Sequence, residues 1–165
     1  MRNRVIPILA AGLLVAACSA TGPATDRPSW SYGPSAASPT DRALAREVVV
    51  YKSPSCTCCH EWEAYMRDHG FTVRSMPTDD MAAVKQQMGM PKDAWSCHTA
   101  VIDGYAIEGH VPVEAIEDLL AQRPAIHGIA LPGMPPGSPG MPGAKAAPFV
   151  VLAVSDGTTS DFGSY

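Results

Sequence analysis

Three cysteines occupy four positions, Cys56-Thr57-Cys58-Cys59, between an apolar β-branched run and a helical pattern. The run, Val48-Val49-Val50-Tyr51, has the character of a strand buried on both faces. Ser53-Pro54-Ser55 breaks it. Over 58–69, Trp62, Tyr65 and Met66 then recur at i, i+3, i+4, with Gly70 as the C-terminal cap. Any fold for this chain must therefore carry a thiol-rich turn at the end of a buried strand and the start of a helix. Backbone N–H groups and the dipole at a helix start favour a thiolate, lowering the thiol pKa below the free value of ~8.5. A thiolate is both a nucleophile for disulfide exchange and a ligand for a soft metal. The turn supports both chemistries.

Downstream, Phe71-Thr72-Val73-Arg74-Ser75-Met76 alternates as a second strand, closed by Pro77. Thr78-Asp79-Asp80 opens a helix to about residue 88, with Thr78 as the cap and Met81, Val84, Lys85 and Met88 as a mostly apolar stripe. That stripe accounts for Met88 as core. Strands at 99–102 and 105–107 flank Asp103-Gly104, a hairpin signal. Pro112 then opens a helix to about 122, with Val113, Ile116, Leu119 and Leu120 on one face. The order β-α-β-α-β-β-α predicts an α/β fold, a thioredoxin-like core with a mixed sheet between helices. The C-x-x-C pair Cys56 and Cys59 stands at the strand-to-helix turn where thioredoxin-like oxidoreductases carry theirs. Residues 124–148 hold seven prolines and five glycines, which predicts a long insertion with little regular structure before a final strand at 149–154. The insertion reads either as a flap over a site or as a solvated loop.

Residues 1–17 read as a lipoprotein-type signal peptide. Arg2 and Arg4 lead an apolar run over 5–15, too short for the ~20 residues of a spanning helix. Val15-Ala16-Ala17-Cys18 resembles a bacterial lipobox, which implies lipidation of Cys18; plain secretion, with Cys18 removed or idle, is the alternative. Residues 18–46 are rich in Ser, Ala, Pro, Thr and Gly and predict a disordered tether, with Trp30 and Tyr32 its only aromatics. The domain proper is then 47–165, in a bacterial cell envelope or periplasm, touching membrane only through a lipid anchor. Such a compartment permits disulfides. The balance of 12 Lys+Arg against 16 Asp+Glu, net −4, excludes a general nucleic-acid binder. Prolines among the glycines of 133–143 withhold the N–H donors a phosphate cradle needs.

Cys58 weighs between the two chemistries. A dithiol redox centre needs two sulfurs, and a third beside them invites wrong pairings, while adjacent cysteines bridge only with strained geometry. Three clustered thiolates suit a metal, and soft sulfur selects Cu(I) or Zn(II). Cu(I) accepts two or three ligands, whereas zinc prefers a closed tetrahedron. Cys97 precedes the third strand, which in such a sheet lies beside the first, so a fourth sulfur converges on the cluster. Ser96-Cys97-His98 lacks the proline that a general disulfide oxidoreductase carries there. Two structural disulfides are the remaining alternative, though loops so short remove little chain entropy.

Four spaced motifs carry a more specific likeness: Tyr51-Lys52-Ser53-Pro54-Ser55-Cys56-Thr57-Cys58-Cys59; Ser96-Cys97-His98-Thr99; Ile107-Glu108-Gly109-His110-Val111-Pro112; and Leu131-Pro132-Gly133-Met134-Pro135 with Gly137-Ser138-Pro139-Gly140-Met141. Together, over about 47–155, they resemble the CopG-like family of periplasmic, thioredoxin-like metal-binding proteins associated with copper resistance. The resemblance implies copper ions as partner, held by Cys56, Cys58, Cys59 and Cys97, with a copper or thiol redox role beside other envelope copper-handling proteins. An enzyme reading would make Cys56 and Cys59 catalytic, as a thiol-disulfide oxidoreductase. A zinc-bound or disulfide-stapled structural module is the third reading.

His60 and His98 adjoin the cysteines and are candidate copper ligands or hydrogen-bond partners of the sulfurs. Met134 and Met141 offer thioethers from the Pro/Gly stretch, where a flexible apolar flap would show the same residues. His110 reads as a loop histidine at the end of the hairpin.

Overall fold

The computed structural model describes residues 46–165. The signal segment 1–17, Cys18 and the tether up to residue 45 lie outside the described residues. Among the described residues the order is β1 (Glu47–Lys52), α1 (Thr57–Asp68), β2 (Thr72–Pro77), α2 (Met81–Gln87), a 3-10 turn (Lys92–Ala94), β3 (His98–Ile102), β4 (Tyr105–Glu108), α3 (Val113–Gln122), β5 (Gly128–Ala130), β6 (Val150–Ser155) and β7 (Thr158–Ser164). All the strands join in one mixed sheet, ordered β2-β1-β3-β4-β5-β6-β7. β1 and β2 are parallel across α1, and β4 and β5 are parallel across α3. The other pairings are antiparallel. The α/β reading with a mixed sheet holds. No helix among the described residues is long and apolar enough to cross a membrane.

Two cores lie on opposite faces of the sheet. Val48 and Val50 face α1 and α3, where Trp62, Met66, Ile116 and Leu119 close the larger core. Tyr51 and Val101 face α2, where Met88, Met90 and Ala94 form a smaller one. β1 is thus fully buried on one face and half-buried on the other, because α2 is short. Trp62 has no exposed surface, and its indole N–H donates to Val111 C=O at 3.1 Å, tying α1 to the approach to α3. Gly70, at φ 84°, ends α1 in a Schellman closure: its N–H meets Arg67 C=O, and Phe71 N–H meets Met66 C=O.

Each face also buries one ion pair near the same end of the sheet. Lys52 meets Glu63 at 3.1 Å on the α1 face, and Lys85 meets Glu108 at 2.5 Å on the α2 face. Lys85 therefore belongs to the buried stripe of α2 as a charge with a partner.

Three sequence expectations need correction. Asp80 caps α2, accepting Ala83 N–H at 2.9 Å, while Thr78 accepts the N–H of Asp80. The stretch 124–148 is not free of regular structure, because Gly128–Ala130 pairs in parallel with β4. The strand at 149–154 is not the final one: β6 turns at Asp156-Gly157 into β7, which forms the sheet edge.

Gly128 is where β5 and β4 approach most closely, since a Cβ there would sit 1.8 Å from Ala106 O. Gly128→Ala is expected to cost about 1–3 kcal/mol by overpacking. Urea unfolding checks this, as a lowered midpoint with an unchanged slope.

Candidate metal centre

Three chain segments meet where β1 ends. Lys52 pairs with His98 across the β1–β3 ladder, so Cys97 lies level with the turn leading into α1. On the other side Thr99 pairs with Glu108, which brings His110 level with Cys97. Gly109, at φ 77°, permits the approach: a Cβ there would lie 2.5 Å from Ser96 Cβ and 2.7 Å from Leu131 O.

Cys56 is the N-cap residue of α1, and Cys58 and Cys59 lie in its first turn. Cys56 and Cys59, the C-x-x-C pair, are joined in a disulfide, and Cys58 and Cys97 are free thiols. Cys58 Sγ lies 3.6 Å from Cys56 Sγ and 3.9 Å from Cys97 Sγ, and Cys59 Sγ lies 3.6 Å from Cys97 Sγ. All four sulfurs fall within 4.8 Å of one another. Cys59 is fully buried and Cys56, Cys58 and Cys97 are half-buried, so the cluster keeps access to solvent. The second disulfide of a doubly stapled module is not formed. Burial, reinforced by Cys58, pushes the Cys97 thiol up to about 12. Lying outside the helix start, Cys97 does not gain the thiolate stabilisation expected of the turn, and desolvation wins there.

Cys97 belongs to a second donor group, with His98 and His110. His110 Nε2 lies 2.9 Å from Cys97 Sγ, while its Nδ1 lies 2.7 Å from Pro139 O. A carbonyl only accepts, so Nδ1 carries the proton and Nε2 turns its lone pair to the sulfur. His98 Nδ1 is 3.3 Å from the same sulfur. Its ring packs against Trp62 with centroids 4.6 Å apart and planes tilted by 45°, and its buried Nε2 has no hydrogen-bond partner among the described residues. Burial lowers the pKa of both imidazoles, helped at His98 by His110, Lys85 and Lys52. The metal-free site is thus neutral around its histidines and rich in soft donors, which fits a soft cation.

The other candidates lie differently. His60 is exposed, and its Nδ1 faces Lys52 Nζ at 2.7 Å rather than the sulfurs. It extends the Lys52–Glu63 pair, to which Ser75 donates at 2.5 Å. Burial raises the Glu63 pKa, but the Ser75 hydrogen bond and Lys52 outweigh it and hold the carboxyl below its usual value. Met134 is half exposed and Met141 is half-buried. Their loop reaches the site through backbone: Pro139 C=O holds His110, and Gly140 lies so close on α1 that a Cβ would meet Trp62 N at 2.6 Å. His110 and Glu108 are the polar residues of this site that the sequence patterns underweighted. The register of the Asp103-Gly104 hairpin was the signal for both.

The family described as "Protein of unknown function, DUF411" matches residues 94–141. Two solved structures of a copper resistance protein CopG, its forms 2 and 1, are similar to the chain. Form 2 is 39% identical, with TM-score 0.67, over 72% of this chain and 97% of that one. Form 1 is also 39% identical, with TM-score 0.66, over 72% and 96%. No curated protein matches the chain in sequence.

Because burial holds both imidazoles neutral, their folded pKa values lie below the unfolded value of 6.5. Their contribution to stability is complete above that value. It is lost as pH falls through it, where the unfolded chain takes up protons that the fold refuses. Urea unfolding of the metal-free protein from about pH 7.5 down to about pH 5.5 is expected to show this decline, flattened in His110→Gln. Gly140→Ala is expected to lift Pro139 from His110, seen by imidazole ¹⁵N shifts as loss of the pure Nδ1–H tautomer.

Proposed function

This chain belongs to the copper resistance protein CopG family, and from that premise we propose an envelope copper-handling protein that holds Cu(I) on Cys56, Cys58, Cys59 and Cys97. The carrying observation is the convergence of four sulfurs from two chain segments within 4.8 Å. Soft thiolates select Cu(I), which needs no closed tetrahedron. His98 and His110 supply imidazole nitrogens beside Cys97, the sulfur common to both donor groups. The order β2-β1-β3-β4, with α1 crossing between the parallel pair, supports reading the core as thioredoxin-like. Lipid anchoring through Cys18, in the periplasm, belongs to the same reading.

The disulfide adds a redox condition. With Cys56 bonded to Cys59, two of the four sulfurs lack a free thiol. A dithiol reductant would break that bond, giving two electrons and two protons to the sulfurs and leaving as its own disulfide. Each thiol then releases its proton on binding metal, so capture weakens as pH falls. Cys97, whose thiol pKa burial raises, extends that dependence to higher pH. Copper capture and the thiol redox state are coupled in this way.

The disulfide also favours a second reading, a thiol-disulfide oxidoreductase using Cys56 and Cys59. An anaerobic Cu(I) titration of the full chain in detergent, against a strong Cu(I) chelator, separates the two. The reduced protein is expected to retain Cu(I) with four thiols protected from alkylation. The disulfide form and Cys58→Ser are each expected to bind about ten-fold more weakly or worse. Cu(I) remaining with the chelator would sink the copper reading. Catalytic reduction of an unrelated disulfide that survives Cys58→Ser would install the oxidoreductase. A tight, spectroscopically silent Zn(II) site would install the structural module.

A further inference from the structure

Glu108 has no exposed surface and accepts three hydrogen bonds at the end of β4. Lys85 Nζ donates to Oε1 at 2.5 Å, Ser96 N–H to Oε1 at 2.6 Å and Thr99 Oγ1 to Oε2 at 2.6 Å. Ser96 is the residue before Cys97 and lies outside any strand. We infer that Glu108 is a positioning residue for Cys97: its carboxylate holds the Ser96 backbone and so sets that sulfur between the helix-start cysteines and His110. The inference deepens the copper reading and rests on it, although the placement of Cys97 can be read without copper.

Three observations carry it. First, the Glu108 tie enters the short segment between the 3-10 turn and β3 at Ser96 N–H, one peptide unit from Cys97. Around it, Ser96 Oγ donates to Gly133 O and Trp95 Nε1 to Met90 O, while Trp95 accepts Gly133 N–H and donates its own N–H to Lys92 O, and none of these bonds engages the Ser96–Cys97 backbone. Second, a buried ion pair is weak evidence of a stability role, because well-packed apolar residues of similar volume often serve as well or better. Here the carboxylate accepts from three donors, in α2, in β3 and in the segment that leads into β3, which an apolar residue cannot do. Third, Lys85 supplies the countercharge that lets a carboxylate remain ionised at a fully buried position. Thr99, opposite Glu108 in the β3–β4 register, aims the second oxygen.

The test separates the tie from the charge. Lys85→Met/Glu108→Gln removes both charges but keeps an oxygen for Ser96 N–H. Lys85→Met/Glu108→Leu removes the oxygen as well. Glu108→Asp keeps the charge and withdraws it by one methylene. The full chain, metal-free and with its disulfide intact, is treated with iodoacetamide, and modification of Cys97 is counted by mass spectrometry against Cys58. The Gln variant is expected to stay within about two-fold of wild type, while the Leu and Asp variants react about ten-fold faster at Cys97 and no faster at Cys58. After reduction, Cu(I) affinity is expected to fall about ten-fold in the same two variants only. Equal Cys97 rates in the Gln and Leu variants would overturn the inference. If the Leu variant fails to fold by circular dichroism, Glu108→Asp against wild type decides: an unchanged rate overturns the role. Should the wild type refuse Cu(I) while the alkylation pattern holds, the copper reading falls and the positioning role stands.

Discussion

Both central residues of the Asp103-Gly104 turn have positive φ, 47° and 83°, the geometry of a type I′ hairpin. A two-residue turn leaves one register for its strands. Counting outward, Ile102 faces Tyr105 and Thr99 faces Glu108. Because β3 also pairs with β1, the same count aligns His98 with Lys52. The sulfur turn, Cys97 and His110 are therefore gathered by backbone pairing before any side chain contributes. A slip of one residue would send every side chain of β3 to the opposite face. His98 would leave Trp62, and Thr99 would leave Glu108.

The interior changes character along the sheet. Away from the cysteines it is Val, Ile, Leu, Phe and Met. Near them it takes up two lysines, two glutamates and two histidines with almost no access to water. Burying such groups is costly unless each finds a partner. Among the described residues all but one buried side-chain polar atom do so, the exception being Nε2 of His98, the ring nitrogen other than the one facing Cys97. An apolar core tolerates many exchanges of similar volume, whereas this end is specified atom by atom.

Much of this was legible in the residues. The element order, the mixed sheet, the core role of Met88 and the meeting of Cys97 with the helix-start cysteines all follow from periodicity and turn chemistry. What escaped has physical causes. β5 is three residues long, too short for alternation to show within a Pro/Gly stretch, and its pairing is supplied by β4. β7 is an exposed edge strand, so Thr158-Thr159-Ser160-Asp161 carries no apolar signal, although Asp156-Gly157 repeats the turn signature that revealed the first hairpin. His60 is adjacent to the cysteines along the chain, yet the helix turns it away, while His110 arrives from another strand. Nearness in sequence held for His98 and failed for His60. The bond between Cys56 and Cys59 is a choice among sulfurs that spacing alone leaves open.

Among the described residues the open sheet has two borders, β2 and β7, and both are unsuited to receive another strand. Along β2, Arg74 projects beside Glu47 and the strand closes on Pro77, which has no N–H to offer. Along β7, Asp161 faces water, and the register shifts between Val151 and Leu152, bending the ladder away from a flat template. Charge, proline and bulge are the devices by which sheets avoid edge-to-edge growth. The borders that carry these devices frame the sheet at its two sides, so the ladder ends at β2 and β7 instead of offering a flat template to further copies of the chain.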